Sequence, residues 1–244
     1  MKNPILKQDL TAESSNRVVS RKGVYSKTFV MLSLVIMSSL VSVLLFAGDL
    51  EANRGAMMTT FWVAIAIALI SSLVIIFKPL HARAYGALYA ISEGVLLGIL
   101  SILTLKLSGG HVVLIAIVAT FAIAIATFTF FASGVVKMKR GGKFYNVIAI
   151  MMTGSFLFYL ILLVGTLFGM NTSFLYDGSP LAIGLSVLML IFASLSFFND
   201  YMLIEDYIEK GAGEEYEWFL AVGLVMTIVW VYIEALRLVR NLMP

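Results

Sequence analysis

From Thr28 onward the chain alternates between long apolar runs and short polar or glycine-rich breaks. Seven runs stand out, at 28–47, 58–77, 84–105, 111–133, 145–169, 180–203 and 217–240. A helix of about 20 apolar residues crosses the hydrocarbon of a bilayer, and every run reaches that length. A backbone in lipid finds no water to bond, so it must close its own hydrogen bonds as helix or barrel strand. No run shows the apolar–polar alternation of a barrel strand. The pattern predicts an all-α integral membrane protein with seven transmembrane helices. The first run is too long for a signal-peptide core and no small-residue cleavage site follows it, so it reads as a retained helix. Residues 1–27 are polar and basic without periodicity and read as a cytoplasmic tail. Residues 28–244 read as a single transmembrane domain, because the connections are too short to hold a second.

Composition agrees. The 244 residues are 61% hydrophobic and 13% charged, where a soluble domain is nearer a quarter charged. Cysteine is absent, which excludes disulfides and thiolate metal sites. The net charge of +3 is small, and no nucleic-acid partner is expected. The distribution of basic residues says more. Lys2, Lys7, Arg17, Arg21, Lys22 and Lys27 precede the first run. Lys78 and Arg83 lie in the second-to-third connection, and Lys137, Lys139, Arg140 and Lys143 in the fourth-to-fifth. Seven spans put all of these on one side. The opposite connections hold only Arg54 and Lys106, and "GMNTSFLYDG" holds none. The excess marks the cytoplasmic face and puts the N-terminus there. Arg237 and Arg240, at the far end of the last run, go against that rule. A half-inserted last helix would instead return the C-terminus to the cytoplasm.

Three acids fall inside apolar runs: Glu93, Asp200 and Glu234. A charge at the bilayer centre costs at least about 2.5–3.5 kcal/mol, so each needs a partner, water or a proton. Helical spacing puts all three on small or polar stripes. Asp200 shares a stripe with Ser186, Ala193 and Ser196. Glu234 shares one with Gly223, Thr227, Trp230 and Arg237. Glu93 clusters with Ala90, Gly94, Gly98 and Ser101. The Gly94–Gly98 pair is the small-xxx-small spacing that lets helices approach closely. Such stripes face the inside of a bundle. A structural reading is open for each acid: Glu234 can pair with Arg237 three residues on, and Glu93 can pair with Arg83 or His81 or cap a neighbouring helix. Otherwise Glu93 is a pore-lining acid. No basic residue lies within a turn of Asp200.

Weaker candidates add little. His81 and His111 fall on opposite sides of the membrane and cannot form a metal pair. Glu205, Asp206 and Glu209, with Glu214 and Glu215, make an acidic patch, read either as a solvated loop or as a mouth that gathers cations. Trp62, Tyr216 and Trp218 read as interfacial belt residues. The "NTS" at 171–173 is a glycosylation pattern only in a eukaryotic cell. No metal motif, phosphate loop or catalytic triad is present, and no cofactor is expected.

The stretches "YAISEGVLLGILS" (89–101), "FFNDYMLIEDYIEKGAGEEYEWFLAVGL" (197–224) and "MTIVWVYIEALRLV" (226–239) resemble the Bax inhibitor-like, or transmembrane BAX inhibitor motif, membrane proteins. The likeness covers the chain from Thr28 onward and is closest to a bacterial branch with a long N-terminal tail. It implies a bacterial inner-membrane protein of seven helices, with the last helix central and two layers of three around it. It also implies a pH-sensing carboxylate pair on the last two helices that latches a calcium leak. "DYMLI" matches the family's sixth-helix Asp at Asp200. "YIE" matches the seventh-helix acid at Glu234, where the family has Asp. Asp200 is near the end of the sixth run and Glu234 about 25 Å into the seventh. Equal depth requires the sixth helix to continue past Ile204, through the amphipathic "YMLIEDYIEKG", or the seventh to begin later than Glu217.

The favoured expectation is therefore a proton-regulated cation leak, passing calcium, with lipid as its surroundings and no enzymatic activity. Two carboxylates in one dry site cannot both ionise cheaply, and hard oxygen ligands suit calcium. The alternative is a membrane-embedded regulator that binds a membrane protease or stress machinery as a protein partner, without transport. An intramembrane enzyme ranks third.

Overall fold

The computed structural model describes residues 17–48, 50–133 and 142–243. Lys2, Lys7, Lys137, Lys139 and Arg140 fall outside them. Seven long apolar helices follow in order: α1 (Arg21–Phe46), α2 (Leu50–Phe77), α3 (Ala82–Ser108), α4 (Gly110–Ala132), α5 (Lys143–Leu167), α6 (Pro180–Glu209) and α7 (Tyr216–Leu242). Short 3-10 turns at Pro79–His81 and Ser173–Leu175 lead into α3 and α6. No strand forms among the described residues; one isolated bridge joins Val18 to Gly213.

The apolar runs locate all seven helices, and the structure corrects three ends. α2 starts at Leu50, before the apolar run begins. α6 runs on to Glu209, one of the two routes to equal depth. α1 starts at Arg21, inside the segment read as tail. Its N-cap is Ser20, whose hydroxyl accepts the Gly23 N–H at 3.0 Å. The residues before it are also placed. Val19 donates its N–H to the Ala212 carbonyl at 2.8 Å, and Glu214 donates to the Arg17 carbonyl at 3.1 Å. The Val19 side chain is 2% exposed and belongs to the cluster of Phe197, Tyr201, Ile204, Tyr216 and Leu220. Residues 17–20 thus lie across the α6–α7 turn.

α7 is central. It packs on α1, α3, α4 and α6, while α2 rests on α3 and α5 on α6. Buried residues occur all round α7, whereas α1, α2, α4 and α5 present broad apolar faces outward, as helices in lipid do. Spanning 27 residues without a break, α7 is about 40 Å long. Its start lies beside Lys27 and Arg83, which both stack on Trp218, at 5.5 and 5.8 Å. Its end meets the α5–α6 connection: Asn241 donates to the Leu175 carbonyl, and Arg240 sits 5.1 Å over Tyr176. The last helix therefore traverses the whole bundle, which overturns the half-inserted alternative.

The tightest seam is between α1 and α3. A Cβ built on Gly94 would stand 1.9 Å from Ser38 Oγ and 2.2 Å from the Val35 carbonyl oxygen. On Gly98 it would stand 2.6 Å from the Ser39 carbonyl oxygen. The helices meet backbone to backbone there, as the glycine spacing predicts. Gly94→Ala should therefore cost about 1–3 kcal/mol through forced separation. Gly154→Ala, whose Cβ meets nothing within 4 Å, should be neutral or slightly stabilising. Thermal unfolding in detergent compares them, and equal midpoints would refute the close approach.

Candidate functional site

The polar side chains of the interior form a column along α7. Glu217, Thr227, Glu234, Arg237 and Asn241 are all buried, and each meets a different part of the bundle.

At the start of the helix, the Glu217 carboxylate accepts from the Ser20 N–H at 2.9 Å and the Ser20 hydroxyl at 3.0 Å. It also pairs with Lys27. It sits so close to the first turn of α1 that a Cβ on Gly23 would stand 2.0 Å from its oxygens. An anion against the free N–H groups of a helix start is well placed. Arg21 reaches Glu205 on α6 through two parallel bonds, the fork geometry that guanidinium and carboxylate favour. Asp206 pairs with Lys210 at 2.6 Å, and Glu209 is exposed. Of the acids expected to form a cation-gathering mouth, Glu205 thus pairs with Arg21 and Asp206 with Lys210, and Glu205 and Glu217 fasten residues 20–27 to the α6–α7 hairpin.

One level deeper lies Asp200. It is 9% exposed, and its Oδ2 accepts from the Thr227 hydroxyl at 2.6 Å. Its Oδ1 faces Gly223, where a Cβ would stand 3.8 Å away. No arginine or lysine among the described residues forms an ion pair with it.

Deeper still, Glu234 is fully buried. It forms an ion pair with Arg237 and accepts from the Tyr159 hydroxyl of α5 and, at 3.1 Å, from the Trp230 indole. Arg237 also lies 5.6 Å over the Tyr159 ring.

Asp200 and Glu234 therefore do not form the expected carboxylate pair. Asp200 meets α7 at Thr227, two helical turns before Glu234, or about 10 Å along the axis, and each acid has its own partners. The long α6 did bring Asp200 to depth, but it brought it level with Gly223 and Thr227. Glu234 instead makes the structural pair with Arg237 that their spacing allowed. Glu93 pairs with neither Arg83 nor His81: Arg83 stacks on Trp218, His81 packs near Tyr85, and Glu93 is half-buried, one turn on from Tyr89. Tyr216 is core, 5.4 Å from Tyr207, so it is no simple belt residue.

Tyr159, Thr227, Glu217 and Asn241 were not singled out by sequence. Thr227 lay on the stripe with Glu234, but its partner depends on the α6–α7 register. Outside the spans, the Ser179 hydroxyl and N–H hold the exposed Asp177 below the ordinary carboxylate range. That contact orders the start of α6, where Ser179 in turn accepts from Ala182 at 3.1 Å. An apolar cleft of about 330 Å³ opens between α1, α4, α6 and α7, with Tyr25, Phe128, Phe197 and Tyr201 in its walls. No group of three or more His, Asp or Glu side chains is placed to hold a metal ion among the described residues.

Six apolar helices around a central, internally charged seventh define a multi-pass integral membrane protein. The chain belongs to the Bax inhibitor 1 like family, whose model matches residues 3–244. No curated protein matches it.

Two outcomes follow from the column. Removing one partner of a buried ion pair strands the other charge, at about 3–5 kcal/mol. Glu234→Gln and Arg237→Gln should each lose that much in denaturant unfolding, and the double variant should lose less than their sum. Additive losses would mean that the two side chains act separately. At the other end, Glu217→Ala releases the Ser20 and Lys27 contacts. Limited trypsin digestion should then cut near Arg21 and Lys22 several-fold faster, read by mass spectrometry. An unchanged rate would show that other contacts hold this segment.

Proposed function

We propose that the protein is a proton-regulated cation leak, passing calcium, in which Asp200 is the responsive carboxylate. The observation that carries this is the contrast between the two deep acids. Glu234 is balanced by Arg237 and two further donors. Among the described residues Asp200 has a neutral hydroxyl, from Thr227, as its one hydrogen-bond partner. A buried carboxylate without a fixed cation is balanced by a proton or by a mobile cation. The two compete for the same oxygen, which links acidity to cation passage. Lone oxygen ligation also suits passage better than retention, since tightly held calcium takes six to eight oxygens. In this reading Glu234 and Arg237 are a fixed support, and Asp200 acts without a shared proton. Family membership supports the reading as a whole. We place the basic N-terminal end of the bundle on the cytoplasmic side of a bacterial inner membrane, and we assign no catalysis.

Purified protein in liposomes loaded with a calcium dye tests this. Wild type should show a calcium flux whose rate depends on pH. Asp200→Asn keeps the shape and removes the ionisable group, so its curve should flatten while its unfolding midpoint stays near wild type. Glu234→Gln should lower stability without removing the pH dependence of the protein that remains folded. An unchanged curve for Asp200→Asn would sink the proposal, and so would the absence of flux in wild type.

A further inference from the structure

The cleft of about 330 Å³ between α1, α4, α6 and α7 lies one to two turns in from the start of α1. α1 packs on α3, and α4 packs on α6 and α7. Between α1 and α4 the rings of Tyr25 and Phe128 meet edge to face at 5.7 Å and form the rim. Phe128 is 41% exposed, on the surface that α4 turns to lipid. Phe197, Tyr201 and Leu224 form the floor and are buried core residues. The cleft thus leads sideways from the lipid-facing surface to the core.

Its chemistry is narrow. No lining residue is charged. Inside the rim, the Thr28 hydroxyl donates to the Val24 carbonyl at 2.9 Å, and the Tyr201 hydroxyl to the Ala124 carbonyl at 3.5 Å. A polar ligand would find no partner there, and an apolar hollow stays free of water. One turn of a partner helix, about 10–12 Å across and about 5.4 Å long, exceeds the volume. A hydrocarbon chain does not.

The mouth is cationic on the side of the membrane surface. Lys22 is exposed and stands three residues before Tyr25, on the same face of α1. Arg21 beside it pairs with Glu205, which lies one turn beyond Tyr201 on α6. That pair is neutral, and Glu209 lies a further turn from the cleft, so Lys22 sets the sign at the mouth. From Lys22 to Thr28 is about 9 Å along the helix. The headgroup layer is about 5–8 Å thick, so a phosphate at Lys22 puts the upper part of its acyl chain at the cleft. We propose that the cleft binds one acyl chain of an anionic phospholipid of the bilayer, with the phosphate at Lys22. The chain fills the gap between α1 and α4 and covers Phe197, Tyr201 and Leu224. This inference does not rest on the leak reading, and its test involves no transport.

The experiment uses the full chain in phosphatidylcholine nanodiscs with a small fraction of a phospholipid that carries a diazirine in the upper part of one acyl chain. The probe is made with a phosphatidylglycerol and with a phosphatidylcholine headgroup, and adducts after irradiation are mapped by mass spectrometry. At Tyr201 the anionic probe should give roughly five-fold more adduct than the zwitterionic one, the effect of one lysine near the membrane surface. At Ile150, exposed on α5, the ratio should be near one. Lys22→Gln should bring the Tyr201 ratio near one. Ala124→Phe fills the cleft and should lower Tyr201 adducts several-fold with both probes, leaving Ile150 unchanged. The proposal is overturned by a lack of adducts at Tyr201, by a wild-type ratio there near one, by a ratio that survives Lys22→Gln, or by unchanged Tyr201 adducts in Ala124→Phe. If Ala124→Phe does not fold, the wild-type and Lys22→Gln ratios decide.

Discussion

The hydrocarbon of a bilayer accepts neither an open backbone nor an unpaired charge, and α7 carries more buried polar groups than any lipid-facing helix tolerates. Glu217, Thr227, Glu234, Arg237 and Asn241 are all interior. A helix of that kind is stable only when surrounded, and α1, α3, α4 and α6 surround it. The rest of the architecture follows from covering this one element. α2 and α5 rest on the outside, and the close α1–α3 seam at Gly94 and Gly98 draws two of the covering helices together.

The seven spans were legible because the bilayer imposes length and hydropathy directly on sequence. The ends were less legible, for a physical reason. Arg21 and Lys27 look like tail residues when read locally, yet they pair with Glu205 and Glu217, far along the chain. Charges that neutralise one another across such a distance leave no local mark. The polar end of α6 is similar: Asp206 and Lys210 pair one turn apart and let the helix continue beyond the apolar run.

In the interior, what could be read was what lies on a single helix. Glu234 and Arg237 pair at the spacing that one helix dictates. Gly94 and Gly98 mark a close approach without naming the partner. The Asp200–Thr227 contact needs the antiparallel register of α6 and α7, which follows from where the turn falls. Once α6 ends at Glu209 and α7 begins at Tyr216, Asp200 comes level with Thr227, and the residue level with Glu234 is near Ala193. The family resemblance pairs Asp200 with Glu234, but this chain's geometry separates them. Tyr159, arriving from α5, has no signature that would set it apart from any other tyrosine in an apolar run.

The polar contacts of α7 are unequal along its length. Glu217 and Glu234 are held by charge-assisted bonds to Lys27 and Arg237, worth about 1.5–3 kcal/mol each, against about 0.5–1.5 for a neutral bond. Asn241 is held by two neutral bonds to the α5–α6 connection and α6. Between these stations α6 and α7 are joined in polar terms by the hydroxyl of Thr227 on Asp200. Gly223 beside it adds no side chain to hold the helices together. If Asp200 is protonated it can still bond Thr227. Around Asp200 the polar link between α6 and α7 is thus a single neutral donor, while charge-assisted and amide contacts hold α7 before and after it.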